Sequence, residues 1–549
     1  LKRRSKLRGS GGAAAWRGAH EPRGAAAMQP LLCQCIADAW EGLRACFVPQ
    51  PKKNRRRLRH ATTPTTPVND AVRRSFRRHS APVGTLDLSG LRLNYDPTRK
   101  VKHSYEKLNR LGAGAYGLVF RVRSKATGQD RAMKIINKSR VSEDMELITT
   151  EVEAMMRLDH PNVVKFYEFF EMQEFICIVT ELCACGDFNA LRRGKCPAEE
   201  LRLLYRDVVT GVSYIHGLGI VHRDLKFENC LLSQGKERRV GKVIDFGLSA
   251  IRREGHTDEW LHESLGTCLF VAPEVLCSQT KYGVKCDMWS LGVMLFWVLT
   301  GEHPFAKGAE KMPTKKLVAH IGHGKLRRDL LEGAEPGAAH LAQRLLVRDP
   351  AERLDAAAAL KTDWLSTTGG ATCFSRYART VGTDNLLQRL LSFANVSQFG
   401  KVALMVMAEQ ADNTEVEDLR TAFLSLDLCG RGSLRREDIR AGFAACGREL
   451  SEDDVEAIFR SVDIDGNQSV SWVEWLAATL LPQVILSEYA IRGLFNFFDA
   501  DGNQRICEKE LQRVLGDSEA LKVLEAHAAG AGALSWEGFQ QLVNGVAHS

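Results

Sequence analysis

The segment Leu111-Gly112-Ala113-Gly114-Ala115-Tyr116-Gly117-Leu118-Val119 spaces three glycines so that backbone can come close to a phosphate, where a Cβ would collide. Alone, the pattern suits a plain glycine turn equally well. It also resembles a dinucleotide fingerprint, but that needs a strand–turn–helix unit with an acidic residue about 20 positions on. Here the flanks, Tyr105–Leu111 and Leu118–Val122, read as two strands of a hairpin covering a nucleotide. Ala132-Met133-Lys134 sets a lysine on the next strand, suited to neutralising α- and β-phosphates. Glu151, in a helical segment running to Leu158, is its natural ion-pair partner. Then follow His222-Arg223-Asp224-Leu225-Lys226-Phe227-Glu228-Asn229, Asp245-Phe246-Gly247 and Ala272-Pro273-Glu274.

A second chemistry stands near the other end. Asp427, Asp463 and Asp499 recur at an interval of 36, and Leu434, Val470 and Ile506 follow them seven residues later. A shortened fourth copy fits around Leu534. A helix–loop–helix calcium site takes oxygens from loop positions 1, 3, 5, 7 and 9 and a bidentate carboxylate from position 12. Asp463, Asp465, Asn467, Ser469, Ser471 and Glu474 fill these places in one loop. Asp499, Asp501, Asn503, the carbonyl of Arg505 and Glu510 do so in the next, where Cys507 at position 9 leaves that contact to water. Gln468 and Gln504 replace the glycine of position 6, at a strain of about 1 kcal/mol each. The outer loops lack the ligands. The first has Cys429, Arg431 and Asp438 at positions 3, 5 and 12, and the last has His527, Ala529, Ala531 and Gly538 at 1, 3, 5 and 12. They are expected to serve as structural partners, each pairing its position-8 strand with that of a working loop.

These residues need several domains to position them, and 549 residues are enough for two or three. Charge divides the chain. Residues 1–80 carry a balance of +14, residues 410–549 a balance of −12, and the centre +6. Residues 1–100 read as a basic, largely disordered arm, with Lys52-Lys53-Asn54-Arg55-Arg56-Arg57 and a Thr/Pro run from Thr62 to Pro67. Strand- and helix-like patterns occupy 105–365. A Gly/Ser/Thr-rich linker and an apolar helical stretch from Leu386 to Met407 fill 366–409, and the repeats fill 410–549. The apolar run Leu291–Leu299 is too short to span a membrane. The 15 cysteines show no disulfide or zinc spacing and are expected to be mostly reduced thiols of a cytoplasmic protein.

The order and spacing of the motifs in 105–365 resemble the protein-kinase superfamily. The resemblance implies that Asp224 accepts the proton of an attacking hydroxyl, that Lys226 neutralises the transferring group, and that Asn229 and Asp245 hold magnesium beside ATP. Lys226, with Thr267 shortly before the Ala-Pro-Glu motif, resembles serine/threonine rather than tyrosine kinases. Phe227 departs from the family's usual proline. Thr180 matches the gatekeeper of the adenine pocket. Asp187 and Glu228 match positions that contact basic residues upstream of the phosphorylated one, with a ribose contact and local hydrogen bonding as the plainer readings.

Kinase domain, apolar junction and four repeats in this order closely resemble the calcium-dependent protein kinases of plants and protists, over roughly residues 105–545. The implied architecture is an α+β bilobal kinase fold followed by an all-α, calmodulin-like EF-hand domain. The implied cofactors are ATP, Mg2+ and Ca2+, and the implied partners are protein substrates and the intramolecular junction helix. No nucleic-acid partner is expected. The junction is expected to block the kinase until calcium opens the lobes to grasp it, although the lobes could instead brace the kinase. The stripe Leu386, Leu387, Leu390, Leu391, Phe393, Phe399, Val402 and Val406 suits a helix that docks in a groove, or one fixed in a core. Arg223 calls for an anionic partner, and Glu254, Asp258, Glu259 or Glu263 could replace a phosphate there. Met28 reads as the start of translation, and Gln29 after it excludes myristoylation at that site. Cys33 and Cys35, beside Ile36, Trp40, Leu43 and Phe47 and a basic cluster, suit palmitoylation and a peripheral membrane site, with a solvated tail as the alternative. A catalytically dead calcium sensor is disfavoured by the intact Lys134, Asp224, Asn229 and Asp245, and dependence on separate calmodulin by the built-in loops.

Overall fold

The computed structural model describes residues 101–549 apart from 114–116, 141–144, 193–195, 248, 252–267, 277–281, 367–369, 412–415, 428, 481–487, 500–502, 528–531 and 549. The basic arm, Gly114, Ala115, Tyr116, Thr267, the four acidic candidates after Ser249, and Asp501 therefore lie outside the described residues.

One antiparallel sheet holds β1 (Tyr105–Ala113), β2 (Gly117–Ser124), β3 (Asp130–Asn137), β4 (Phe166–Glu171) and β5 (Phe175–Glu181) in the order β1-β2-β3-β5-β4. Period-two alternation sets its faces: Leu118, Phe120 and Val122 are buried on β2, with half-exposed residues between them. The β2–β3 register sets Lys134 opposite Val119. Helix α1 (Met145–Arg157) buries Ile148, Val152, Met155 and Met156, an i, i+4, i+7, i+8 stripe.

The helical lobe is built on α2 (Ala198–Gly217), which buries Leu201, Leu204, Tyr205, Val208, Val209, Val212 and Ile215. Helix α3 (Lys285–Thr300) is buried on every side from Cys286 to Val298, so the apolar run noted above is a central core helix. Gly301 ends it at φ 75°, its N–H donating to the Trp297 carbonyl at 2.8 Å. A hairpin of β6 (Cys230–Gln234) and β7 (Arg239–Val243) lies between these helices in the chain. It starts directly after Asn229 and ends two residues before Asp245.

A second core runs from Phe374 to Val543. The linker expectation fails at its start, because residues Gly370–Val381 form helix α4, whose Phe374 and Ala378 are fully buried. Their i, i+4 spacing was masked by the small polar residues around them. The stretch from Leu386 to Met407 is also not one helix. It divides into α5 (Thr383–Ser392), a 3-10 turn at Phe393–Asn395, and α6 (Gln398–Gln410). Ser397 starts α6 by accepting from the Gly400 N–H at 3.0 Å, a hydroxyl cap that competes with continuing the helix.

Four helix–loop–helix repeats follow: α7 (Glu417–Leu426) with α8 (Arg436–Ala445), α9 (Glu452–Val462) with α10 (Trp472–Thr479), α11 (Glu488–Phe498) with α12 (Glu508–Leu515), and α13 (Asp517–His527) with α14 (Trp536–His548). Leu434 pairs with Val470, and Ile506 with Leu534, so each outer loop does pair with an inner one. All four of these side chains are fully buried. Among the described residues no helix is long and apolar enough to cross a membrane, and the described cysteines are free thiols.

Candidate functional site

Lys134 reaches from β3 to two carboxylates at once, with Nζ 2.6 Å from Glu151 Oε1 and 2.9 Å from Asp245 Oδ1. Burial disfavours the Lys134 charge, but Glu151 and then Asp245 outweigh it and hold the ammonium above its usual range. Partial burial disfavours the Asp245 charge too, but Lys134 outweighs it and keeps this half-exposed carboxyl below its usual range. It sits at φ 65°, a conformation that costs a non-glycine residue about 1–2 kcal/mol and is tolerated where surroundings enforce it. Gly247 follows because a Cβ there would come within 3.2 Å of Glu151 Oε2.

Asp224 faces this group from the other lobe. Its Oδ2 accepts from Lys226 Nζ at 2.6 Å and from Asn229 Nδ2 at 3.1 Å, and its carbonyl takes Asn229 Nδ2 at 2.8 Å. The loop is anchored by Asp287 of α3, fully buried, which accepts from the His222 and Arg223 N–H groups at 2.8 and 2.9 Å and lies 2.8 Å from His216 Nε2. Arg223, at φ 67°, donates to the Ser249 carbonyl at 3.3 Å. These long-range anchors place a lysine, two aspartates and an asparagine around one cleft. Asn229 Nδ2 is engaged by Asp224, which leaves its carboxamide oxygen as a candidate metal donor, and its backbone carbonyl takes the N–H of Ile244, the residue before Asp245, at 3.0 Å. The residues present fit a magnesium nucleotide.

The glycines divide their work. A Cβ on Gly112 would meet nothing within 4 Å, as expected of a loop that leaves room for a ligand. One on Gly117 would lie 2.0 Å from the Ile135 carbonyl, so this glycine is also demanded by the neighbouring strand. Leu111 is exposed, Leu118 is buried, and across β1 and β2 Ala113 pairs with Leu118 and Gly112 with Val119. Thr180 is half-buried on β5, opposite Ala132. Asp187 accepts from the Asn189 N–H at 2.9 Å, and Asn189 Nδ2 lies 3.4 Å from both Asp187 Oδ2 and Glu228 Oε1. The two acidic residues therefore share one neighbour.

Phe227 has a role that the sequence did not reveal. It is buried and packs edge-on against Phe270 (5.4 Å) and Trp297 (5.9 Å), with the Arg192 guanidinium 4.6 Å from the Trp297 ring centre. Replacing it with alanine should lower unfolding stability by about 3–5 kcal/mol, read by chemical denaturation of the full chain. A loss below about 1 kcal/mol would show that the ring is not part of the core.

In the second repeat, carboxylate oxygens of Asp463, Asp465 and Glu474 lie within 4.8 Å of one another. Asp463 accepts from the Asn467 and Gln468 N–H groups, each at 3.0 Å, and Glu474 from Ile464 (2.7 Å) and Ser471 (2.9 Å). Burial, then the charge of Asp465, pushes the Glu474 carboxyl up to about 8. Burial with Asp463 beside it pushes Asp465 up to about 6. A group of carboxylates held this close fits a divalent cation. Asn467 and Ser469 are turned toward each other, with the Ser469 hydroxyl donating to Asn467 Oδ1 at 2.6 Å. The next loop repeats the pattern: Asp499 accepts from Asn503 (3.0 Å) and Gln504 (2.9 Å), Asn503 from the Arg505 N–H (2.8 Å), and Glu510 from Cys507 (2.8 Å). Gln468 and Gln504 are left-handed, at φ 65° and 67°, as the glycine position requires.

The junction stripe is spent inside this second core. Leu386, Leu387, Leu390, Phe393, Phe399, Val402 and Val406 are buried there, and Leu391 packs against them. Phe399 stacks on Phe498 at 5.7 Å and meets Phe539 edge-on at 6.2 Å. One contact no motif could announce joins the two halves. The Val473 N–H, next to the candidate ligand Glu474, donates to Asp159, just beyond α1, at 3.0 Å.

Residues 105–365 match the protein kinase domain family, and residues 416–480 match the EF-hand domain pair. Calcium-dependent protein kinase 17 of Arabidopsis thaliana is 34% identical over 368 residues, which cover 66% of this chain and 67% of the relative. Calcium-dependent protein kinase 34 of the same plant is 33% identical over 368 residues, covering 66% and 68%. Calcium-dependent protein kinase 14 of Oryza sativa subsp. japonica is 33% identical over 367 residues, again covering 66% and 68%. With both domains matched in this order and the cleft assembled as described, the chain belongs to the calcium-dependent protein kinase family.

Proposed function

We propose that the chain transfers the γ-phosphoryl group of ATP to serine or threonine hydroxyls of proteins carrying nearby basic residues, and that calcium releases this activity by keeping the junction in the second core. The observation that carries the catalytic part is the double pairing of Lys134 with Glu151 and Asp245 beside an Asp224 held by Lys226 and Asn229. Asp224 orients the substrate hydroxyl and takes its proton, and Lys226 lies where charge grows on the transferring group. Glu151 holds Lys134 extended toward the α- and β-phosphates. Asn229 and Asp245 would hold magnesium, which screens the phosphate charge when bound. Asp187 and Glu228, gathered around Asn189, supply the acidic surface for a basic substrate. Phosphorylation of a basic peptide across a calcium titration tests the reading. Turnover unaffected by calcium, or absent throughout, would defeat it.

Calcium enters at two loops. Calorimetry should find two sites, and Glu474→Gln or Glu510→Gln should each remove one, because each deletes the carboxylate that closes its loop. Four sites of similar strength would mean that Arg431 and the fourth loop do not exclude the ion.

A second reading, that the calcium lobes brace the kinase, is favoured by the Val473–Asp159 hydrogen bond. Asp159 lies two residues beyond the end of α1, the helix that carries Glu151. A loop tightened at Glu474 would thus steady the helix that orients Lys134.

A further inference from the structure

Loop 427–438 cannot bind calcium, yet it has the same internal wiring as the loops that can. Asp427 accepts from the Arg431 and Gly432 N–H groups at 2.9 and 2.6 Å, as Asp463 does from Asn467 and Gln468. Asp438 accepts from the Arg435 N–H at 2.8 Å, as Glu474 does from Ser471. The difference is the charge in the middle. Arg431, at position 5, extends its guanidinium to Asp438 and ion-pairs with it. A tethered cation thus closes the loop onto its position-12 carboxylate, the task of calcium in a working site.

This loop also lies against the kinase domain. A Cβ on Gly432 would fall 2.1 Å from Tyr214 Cδ2 and 2.9 Å from His160 Cδ2, and one on Gly430 would fall 2.6 Å from Leu360 and 3.1 Å from Ser213 Oγ. The backbone conformation is not what demands glycine at 432. Its φ is 73°, and glutamine accepts φ 65° and 67° at the same position of the two working loops. What excludes a side chain is the kinase surface. Helix α7 extends the contact: Glu417 accepts from the Lys236 N–H, Asp418 lies 3.2 Å from Lys236 Nζ, and buried Arg420 lies 3.7 Å from buried Asp207. None of Glu417, Asp418, Arg420, Gly430 and Gly432 is a calcium ligand.

We propose that the first repeat is a calcium-independent docking module for the α2 face of the kinase domain, closed permanently by Arg431 in place of the ion. The calcium domain then stays attached at every calcium level. Calcium acts within a docked domain, on contacts such as Val473–Asp159 and on the grip around the junction, and does not recruit the domain from solution.

Hydrogen exchange of the full chain tests this without reference to activity, so it stands or falls apart from the switching mechanism above. Amides of residues 204–217 and 158–164 should show protection in chelator within about twofold of that in calcium. Gly432→Gln, which copies a residue the working loops already carry at this φ, should lower that protection roughly tenfold in both conditions. The triple change Cys429→Asp, Arg431→Asn, Asp438→Glu exchanges the tethered cation for a calcium ligand set, and should make protection depend on calcium. Protection that appears in the natural chain only when calcium is added would overturn the proposal. So would a Gly432→Gln variant as protected as the natural chain, or a triple variant still protected in chelator.

Discussion

Replacing Asp224 with asparagine should lower kcat by about 10²–10⁴-fold while leaving ATP affinity close to that of the natural chain. The carboxylate Oδ2 accepts from Lys226 and from Asn229. An amide keeps the shape but cannot take a proton at neutral pH, and its NH2 placed at the same position would face two donors. In the proposed mechanism the nucleotide is held elsewhere, by Lys134, the glycine loop and metal at Asn229 and Asp245, so binding of ATP should survive. Steady-state kinetics with a fluorescent nucleotide titration separate the two quantities. Turnover near the natural rate would remove Asp224 from the catalytic role. A matching loss of nucleotide affinity would show that the residue serves binding and not proton transfer. Lys134→Ala provides the contrast: it breaks both ion pairs of the cleft and should weaken ATP binding as well as turnover.

A chain ending after Leu365 should phosphorylate a basic peptide equally with and without calcium. The first hydrophobic core closes at Leu365 and the second opens at Phe374, so the cut falls between cores and leaves the kinase domain's own packing intact. It removes the junction stripe, which in the full chain is buried among the calcium-domain helices. Taking a switch from 1% to 99% active requires about 5.5 kcal/mol of calcium's preference for the open state. Two sites, each binding that state about 100-fold more tightly, supply it, so a full chain with Glu474→Gln should reach only partial activation at saturating calcium. The cut also removes every partner that the calcium domain offers to Asp159, Asp207 and Lys236. A truncated kinase that stays inactive at all calcium levels would therefore reject inhibition by the junction and assign activation to bracing.

What the sequence determined by itself is what short spacings encode. The order of candidate ligands in 463–474, the position-8 pairing of Leu434 with Val470 and of Ile506 with Leu534, and the left-handed demand at Gln468 all follow from one loop's geometry repeated. The cleft residues were legible for a different reason: phosphoryl transfer needs particular atoms at particular chain positions, and few side chains supply them. Helix α4 was not legible, because its two core residues are diluted by glycine, serine and threonine and its burial depends on a partner, Phe443, 5.5 Å away and 69 positions along the chain. Phe227 looked like a mere departure from proline until Phe270 and Trp297 closed around it. Gly430 and Gly432 carry no signal of their own in the sequence, and only Tyr214, His160 and Leu360 give a reason for them. Sequence periodicity reports how a segment packs against its own neighbours. The faces on which two domains meet are fixed by contacts hundreds of residues apart, such as Val473 with Asp159, and only the folded chain brings those together.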